Sequence, residues 1–215
     1  MHENLAQQLD DLLPQTQCRQ CGFEGCLPYA QAMASDTADL NRCPPGGTPT
    51  ISALAKLLGK PEKPLDHTCG ITIERHIASI NPEHCIGCTL CIKACPVDAI
   101  VGSSKRRHAV IAALCTGCEL CIPPCPVDCI DMVFMPEHGA WNTEMAHAAR
   151  NRMQQRNLRL LLQKETQAQR LEGKALLKLD ELNQSPQTAD AELAKKRAVV
   201  EAALTRARAR RTNAS

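Results

Sequence analysis

Two cysteine-rich segments of this 215-residue sequence are copies of each other. CIGCTLCIKACPVDAI (85–100) and CTGCELCIPPCPVDCI (115–130) share eleven of sixteen residues at a fixed offset of 30. Such self-similarity indicates an internal duplication. The β-branched segment 71–80 and segment 108–114 hold matching places before the two copies, and we expect strands there. The chain should therefore use one small unit twice: a strand, a cysteine loop, a short helix and a second strand.

The cysteine spacing in both copies matches the bacterial iron–sulfur run C-x2-C-x2-C-x3-C-P, whose fourth cysteine binds the other cluster. Three thiolates on one tight turn can bind three corners of an Fe4S4 cube, so the fourth corner must be reached from elsewhere in the chain. The sequence therefore predicts two [4Fe–4S] clusters with crossed ligand sets. The first set is Cys85, Cys88, Cys91 and Cys125, and the second is Cys95, Cys115, Cys118 and Cys121.

Glycine and proline recur at fixed places in both copies. Gly87 and Gly117 allow the cysteine turn to fold closely around a cube, because glycine has no side chain in the way. The proline after the fourth cysteine fixes φ where the chain enters the short helix, which we predict over 96–99 and 126–129. Zinc also binds four thiolates, but usually through two C-x2-4-C pairs, which would leave one thiolate of each triplet poorly placed.

A third group of cysteines lies near the N-terminus and has a different spacing, C-x2-C-x4-C, with one more cysteine before a Pro-Pro-Gly-Gly turn. Two glycines within the group again indicate a backbone that wraps something compact. From these residues alone, both a structural zinc ion and an iron–sulfur cluster are open. The four candidate ligands are Cys18, Cys21, Cys26 and Cys43.

Charge separates a cysteine-rich head from a basic tail. All fourteen cysteines lie in residues 1–140, where ten basic and fifteen acidic residues give a net charge of −5, whereas residues 141–215 carry +7. Four aromatic residues are too few to anchor a large apolar interior, so something other than hydrophobic burial must hold the cysteine-rich part together. We expect an N-terminal module at 1–47, a linker with one helix at 48–70, a ferredoxin-like domain at 71–135 and a basic extension at 141–215.

The sequence contains no candidate membrane span. Its longest uninterrupted apolar stretch, 109–115, has seven residues, against the roughly 20 that a helix needs to cross a bilayer. The N-terminus shows no basic region followed by an apolar one, so we expect no secretory signal and a cytoplasmic location. In that reducing environment cysteines are metal ligands more often than disulfides.

Strong helix formers dominate from Asn142 onward, with leucines at roughly helical intervals. Ser185-Pro186 can end one helix and start the next, since serine caps helices and proline suits the first helical position. The sequence therefore predicts a C-terminal helical hairpin that runs to about Arg211, and an α+β fold for the whole chain. A partly disordered tail is the alternative, because the apolar stripe is thin. We expect the extension neither to bind metal nor to be required for cluster assembly.

Two cysteines and most histidines stand outside these sites. Cys129 takes the place of Ala99 in the first copy, which favours a small buried residue near a cluster. Cys69 lies in the linker and is assigned no role. Six histidines have no metal-binding motif around them and are interpreted as surface residues or as residues whose hydrogen bonds are satisfied: His67, His76, His84, His108, His138 and His147.

Together the cysteine groups resemble a known family, the B subunit of the Rnf/Rsx electron-transport complex. The matching segments are LLPQTQCRQCGFEGC, NRCPPGG and the duplicated run, and they cover residues 5 to about 133. The resemblance implies a [4Fe–4S] cluster on the N-terminal set, hence three clusters in all, and redox partners that include other subunits of an ion-translocating complex. Family members begin with an apolar anchor helix, whereas this chain starts at the Leu-Pro-Gln-Thr module. We therefore expect a soluble protein, or one peripheral on the cytoplasmic side of the inner membrane.

The leading functional hypothesis is a carrier of single electrons between a low-potential donor and an acceptor. No nucleophile–base pair, phosphate-binding glycine loop or nicotinamide fingerprint is visible, so no substrate chemistry is expected. A second hypothesis makes the basic tail an adaptor for nucleic acid or an anionic membrane surface, although no aromatic residue interleaves the basic ones for base stacking. A third makes the cysteine sites structural zinc modules in a regulatory scaffold.

Overall fold

The computed structural model describes residues 2–136, 141–184 and 191–212. The chain forms two compact units, Met1–Arg156 and Asn157–Ser215. The first unit begins with three helices and continues with short strands and one short helix, and long helices make up the second unit. The helices are α1 (His2–Leu12), α2 (Cys26–Ala34), α3 (Gly47–Leu58), α4 (Leu90–Ala94), α5 (Thr143–Gln184) and α6 (Ala191–Thr212), and the strands are β1 (His76–Ile80), β2 (Ile100–Val101), β3 (Ala109–Val110) and β4 (Ile130–Phe134).

The N-terminal module is a core of three helices. Leu9 and Leu13 lie one helical turn apart and pack against α2, where Tyr29 and Met33 are almost fully buried. The helix α3 joins the same core through Ile51 and its neighbours, because its apolar residues recur at helical spacing. Residues 47–58 therefore belong to the N-terminal core, whereas the sequence analysis placed most of them in a linker.

The duplicated domain holds two small antiparallel ladders whose partners come from different copies. Strand β1, before the first copy, pairs with β4, after the second, in a register that runs from His76↔Phe134 to Ile80↔Ile130. Strand β2, after the first copy, pairs with β3, before the second. Each copy therefore completes its ladder with a strand of the other copy, which makes the two copies one folding unit.

The short helices predicted after the two Cys-Pro pairs are wrong. Segments 96–99 and 126–129 form turns, in which Asp98 and Asp128 have φ angles of 53° and 46°, and an α-helix does not accommodate that left-handed conformation. In the first copy the helix lies before the fourth cysteine instead, as α4. The second copy has no counterpart because Pro123 and Pro124 stand there, and proline removes a backbone donor.

The first turns of α5 pack against the cysteine-rich head. Ala149 is fully buried in the core of the duplicated domain, and the Trp141 indole Nε1 donates a hydrogen bond to the Pro14 carbonyl oxygen (2.7 Å). The buried Arg150 guanidinium forms an ion pair with the Asp10 carboxylate (3.0 Å) and a second one with Asp11. The structure therefore extends the head to Arg156, beyond residue 141, where the sequence analysis began the extension.

The second unit contains the rest of α5 and the helix α6. Arg208 Nε lies 2.9 Å from Glu172 Oε1, and Arg197 Nη2 donates to the Leu182 carbonyl oxygen at 2.6 Å. These two contacts join the helices in antiparallel order. The predicted break at Ser185-Pro186 lies outside the described residues. Among the helices that the structure describes, none is long and apolar enough to cross a membrane.

Two truncations should show where the head ends. Ending the chain after Arg156 removes only the second unit, so the thermal unfolding midpoint of the head should stay unchanged. Ending it after His138 removes Trp141 and leaves Asp10 without Arg150, and breaking a buried ion pair costs about 3–5 kcal/mol. Thermal unfolding of both proteins measures the difference. Equal midpoints would contradict the packing of α5 on the head.

Candidate metal centres

The N-terminal cysteines converge between the helices α2 and α3. Cys26 opens α2, Cys43 lies just before α3, and both are buried. Burial raises the pKa of the Cys26 thiol to about 12, and it raises the pKa of Cys43 well above its usual value. The charges of Cys18 and Cys21 contribute to both increases, so all four cysteines lie close enough to interact. The structure thus brings together all four residues of the predicted set.

Two buried glutamines hold the loop that carries Cys18. Gln17 Oε1 accepts a hydrogen bond from the Cys26 backbone N–H (3.1 Å), and Gln17 Nε2 donates to Gln15 Oε1 (2.8 Å). Gln15 in turn donates to the Asp10 side chain (2.9 Å). Sequence reasoning did not single out these residues, although they lie inside the Leu-Pro-Gln-Thr-Gln motif. They fix the loop because each buried amide group has a partner.

Cys95 of the first copy lies with the triplet of the second copy. A small cavity is lined by Cys95, Cys115, Cys118 and Cys121 together with apolar side chains that include Ala78 and Met132. Burial, together with smaller effects from the charges of Cys95 and Cys115, raises the pKa of Cys118 to about 11 and that of Cys121 to about 12. The structure thus places these four thiols around one cavity.

The triplet of the first copy lies near Cys129 and Cys125. Burial raises the pKa of Cys91, with further increases from the charges of Cys88 and Cys85. Cys125 Sγ is 3.6 Å from Cys129 Sγ, and the Cys129 thiol also interacts with Cys85. Cys129 is buried in the core of the duplicated domain, as its correspondence to Ala99 in the first copy predicts. Cys129 thus contacts Cys125 and also interacts with Cys85 of the first triplet.

The cysteine turns leave no room for a side chain at either glycine. At Gly117, with φ 72°, a Cβ would lie 2.7 Å from the His76 carbonyl oxygen, and at Gly87, with φ 69°, it would lie 2.6 Å from the Arg106 backbone. In the described ranges no group of three or more His, Cys, Asp or Glu is arranged to hold a single metal ion. The donors are all thiols, the ligand type of iron–sulfur and zinc sites, and the tight turns fit a compact group. The residues present therefore fit an iron–sulfur cluster.

His108 is a buried neighbour of this site that sequence reasoning missed. Its Nδ1 lies 3.2 Å from Cys91 Sγ, and its backbone N–H points to Cys85 Sγ at 3.5 Å. Its Nε2 is buried without a hydrogen-bond partner in the structure. No motif signals this role, because the contact depends on the pairing of β2 with β3.

Cys69 also lies closer to a site than its place in the sequence suggests. Its thiol lies 3.8 Å from Asp66 Oδ2 and interacts with Cys21. A hydrogen bond with Cys69 raises the pKa of the Arg42 guanidinium. Cys69 is thus a neighbour of the N-terminal set.

A buried hydrogen bond connects the N-terminal site to the second-copy site. Thr116 Oγ1 donates to the Thr16 carbonyl oxygen at 2.9 Å. Thr16 lies two residues before Cys18, and Thr116 directly follows Cys115. Arg75 holds the same loop by donating to the Cys115 carbonyl oxygen (2.8 Å). The two sites are therefore neighbours within the head.

Comparisons with protein families agree with both cysteine regions. The family model described as "4Fe-4S dicluster domain" matches residues 78–132, and the one described as "Putative Fe-S cluster" matches residues 13–45. The first match confirms the prediction of [4Fe–4S] chemistry in the duplicated domain. No solved structure gives a significant match.

Curated relatives are named as the B subunit of an ion-translocating oxidoreductase complex. The relative from Thiobacillus denitrificans is 56% identical over 50% of this chain and 57% of its own length. The one from Azoarcus sp. is 59% identical over 60% and 70%, and that from Shewanella amazonensis is 52% identical over 66% and 75%. The chain thus spans little more than half of the first relative and over two thirds of the other two.

Replacing Cys95 by Ala should damage the site of the second triplet, because Cys95 shares a cavity with that triplet. The electron paramagnetic resonance spectrum of reduced Cys95→Ala should therefore resemble that of Cys118→Ala. A spectrum that matched Cys88→Ala would contradict the crossed ligand sets. Cys129→Ala is the control, since it removes a buried thiol that belongs to no predicted set and should leave the iron content unchanged.

Proposed function

Because this chain belongs to the family formed by the B subunits of ion-translocating oxidoreductase complexes, we propose that it carries single electrons through three [4Fe–4S] clusters. The dicluster match supports iron–sulfur electron transfer in the duplicated domain. The observation that carries the proposal is the gathering of the cysteines into three neighbouring groups. The proposed ligand sets are Cys18, Cys21, Cys26 and Cys43; Cys85, Cys88, Cys91 and Cys125; and Cys95, Cys115, Cys118 and Cys121.

The chain itself supplies burial, fixed thiolates and hydrogen bonds to sulfur. Bound clusters would supply the one-electron chemistry. The backbone N–H of Ala99 donates to Cys95 Sγ at 3.2 Å, and such N–H groups stabilise the added negative charge of a reduced site. The crossed ligand sets would hold both halves of the domain together in either redox state, so little of the protein needs to move.

The three sites suggest an order of electron transfer. The Thr16–Thr116 hydrogen bond joins the loops of the N-terminal site and the second-copy site. The second-copy and first-copy sites share one core. We therefore place the site of Cys95 and its triplet between the other two, so that the N-terminal and first-copy sites form the ends of the relay.

The proposed redox partners are other subunits of an ion-translocating oxidoreductase complex, because the relatives are named as one component of such a complex. The head, residues 1–156, has thirteen basic and sixteen acidic residues, a net charge of −3. Three clusters with thiolate ligands would add about −6, so the loaded head would carry about −9. A surface of this charge should dock on a basic partner.

The adaptor hypothesis for the basic tail receives less support. Three arginines of the predicted tail, 141–215, form contacts inside the head: Arg150 pairs with Asp10, Arg152 donates to the Leu114 carbonyl oxygen, and Arg156 donates to that of Lys93. Arg197 and Arg208 have partners within the second unit. We propose that α5 and α6 form the predicted hairpin and that this hairpin binds protein partners.

Metal analysis tests the proposal most directly. Protein purified without oxygen should be brown and contain twelve iron atoms and twelve acid-labile sulfides per chain, four of each per cluster. A value of eight iron atoms per chain would limit the proposal to two clusters in the duplicated domain. Colourless protein with zinc in place of iron would overturn it.

Salt should slow electron transfer to a basic acceptor protein. The negative head attracts such a partner over long distances, and dissolved ions screen this attraction beyond about 8 Å at physiological ionic strength. With a basic cytochrome as the probe, the stopped-flow association rate should fall about tenfold or more from low to high salt. The rate with a small uncharged quinone serves as the control and should change little. A salt-independent rate for the cytochrome would contradict electrostatic docking.

A further inference from the structure

The two halves of the duplicated domain differ at one pair of facing positions. Ala78 on β1 lies directly opposite Met132 on β4. Shifting both positions by the repeat offset of 30 gives His108 and Gly102, which lie just beyond the ends of β3 and β2. Each half thus pairs one small residue with one large residue. The large residue is Met132 on β4 in one half and His108, next to β3, in the other, and these two positions do not correspond in the repeat.

Gly102 provides the space that the His108 ring occupies. A Cβ at Gly102, where φ is 149°, would lie 2.4 Å from His108 Cδ2. With this space free, His108 is only 4% exposed, and its Nδ1 reaches Cys91 Sγ at 3.2 Å. A thiolate bound to iron has no proton to give, so Nδ1 must be the donor once the site is loaded.

In the half that contains Ala78 and Met132, the corresponding positions offer no hydrogen-bond donor side chain to the cluster. Ala78 and Met132 line the cavity shared by Cys95, Cys115, Cys118 and Cys121, and neither side chain carries an N–H. The duplication has therefore produced two sites with similar thiol ligands but different hydrogen bonding to sulfur.

We propose that His108 is a positioning residue that donates a hydrogen bond from Nδ1 to Cys91 and raises the reduction potential of the cluster on Cys85, Cys88, Cys91 and Cys125. This inference rests on the proposed function. Reduction adds one electron to that cluster and increases the negative charge on its sulfurs, so the N–H stabilises the reduced form more than the oxidised form. The electron comes from the neighbouring cluster, which is oxidised by one electron, and no proton moves.

Other charges affect the neighbouring cluster and decide how the test must be designed. Arg75 interacts with Cys115 and Arg152 with Cys95, and both cations favour the reduced state there as well. The order of the two potentials therefore depends on more than His108. Each cluster must be compared with itself, before and after a substitution.

The experiment uses the full-length protein with its clusters loaded. His108→Met fills a similar volume without an N–H, whereas His108→Gln keeps an amide N–H within reach of Cys91. Redox titration followed by electron paramagnetic resonance gives the potential of each cluster, and the signal missing from Cys88→Ala identifies the one of interest. We expect His108→Met to lower this potential alone, and His108→Gln to restore much of the wild-type value, with all irons retained in both.

A reciprocal variant keeps the test decisive if His108→Met loses iron. Ala78→His combined with Met132→Gly copies the His108 arrangement into the other half, and we expect it to raise the potential of that cluster. Unchanged potentials in His108→Met with full iron content, or in the reciprocal variant if His108→Met cannot be loaded, would overturn the inference. Failure of the proposed function itself would appear separately, as wild-type protein without twelve irons.

Discussion

The cysteine-rich head depends on one constraint: its many buried thiols must stay uncharged unless something neutralises them. Burial, with smaller contributions from nearby sulfurs, raises the pKa values of Cys26 and Cys121 to about 12. Thiolates packed this closely repel one another unless a cation neutralises them. Metal binding would remove the protons and supply the missing positive charge, so cluster loading and folding of the head are linked.

The exchange of strands makes the duplicated domain a single unit. The β1–β4 and β2–β3 ladders each join one copy to the other, and Cys95 crosses to the triplet of the opposite copy. Backbone pairing and the position of Cys95 therefore both connect the two copies. Since neither copy can complete its ladder alone, the two copies are expected to fold together. The same arrangement allows the copies to diverge in detail, as His108 and Met132 do, without losing the shared framework.

The long helix α5 belongs to two units, and its first turns link the two cysteine regions. Through Arg150 it contacts α1, and through Ala149 it enters the core of the duplicated domain. A composition boundary at residue 140 is thus not a structural boundary. Helix-forming residues and positive charge continue without a break through 141–184, so the sequence pattern predicts a helix. The pattern does not show that Arg150 meets the buried Asp10.

The sequence alone determined the cysteine groups, the internal repeat, the need for glycine at 87 and 117, and the two long helices, because spacing, offset and helix propensity are local properties. A known cysteine spacing also predicts the crossed ligand sets, and the structure places Cys95 in one cavity with the triplet of the other copy. The tertiary structure decided the exchange of strands between copies, the turn in place of a helix at 96–99, the place of α3 in the N-terminal core and the contact of His108 with Cys91. Each of these depends on residues far apart in the chain or on a backbone angle that several residue types can adopt, and one sequence does not show which distant partners meet.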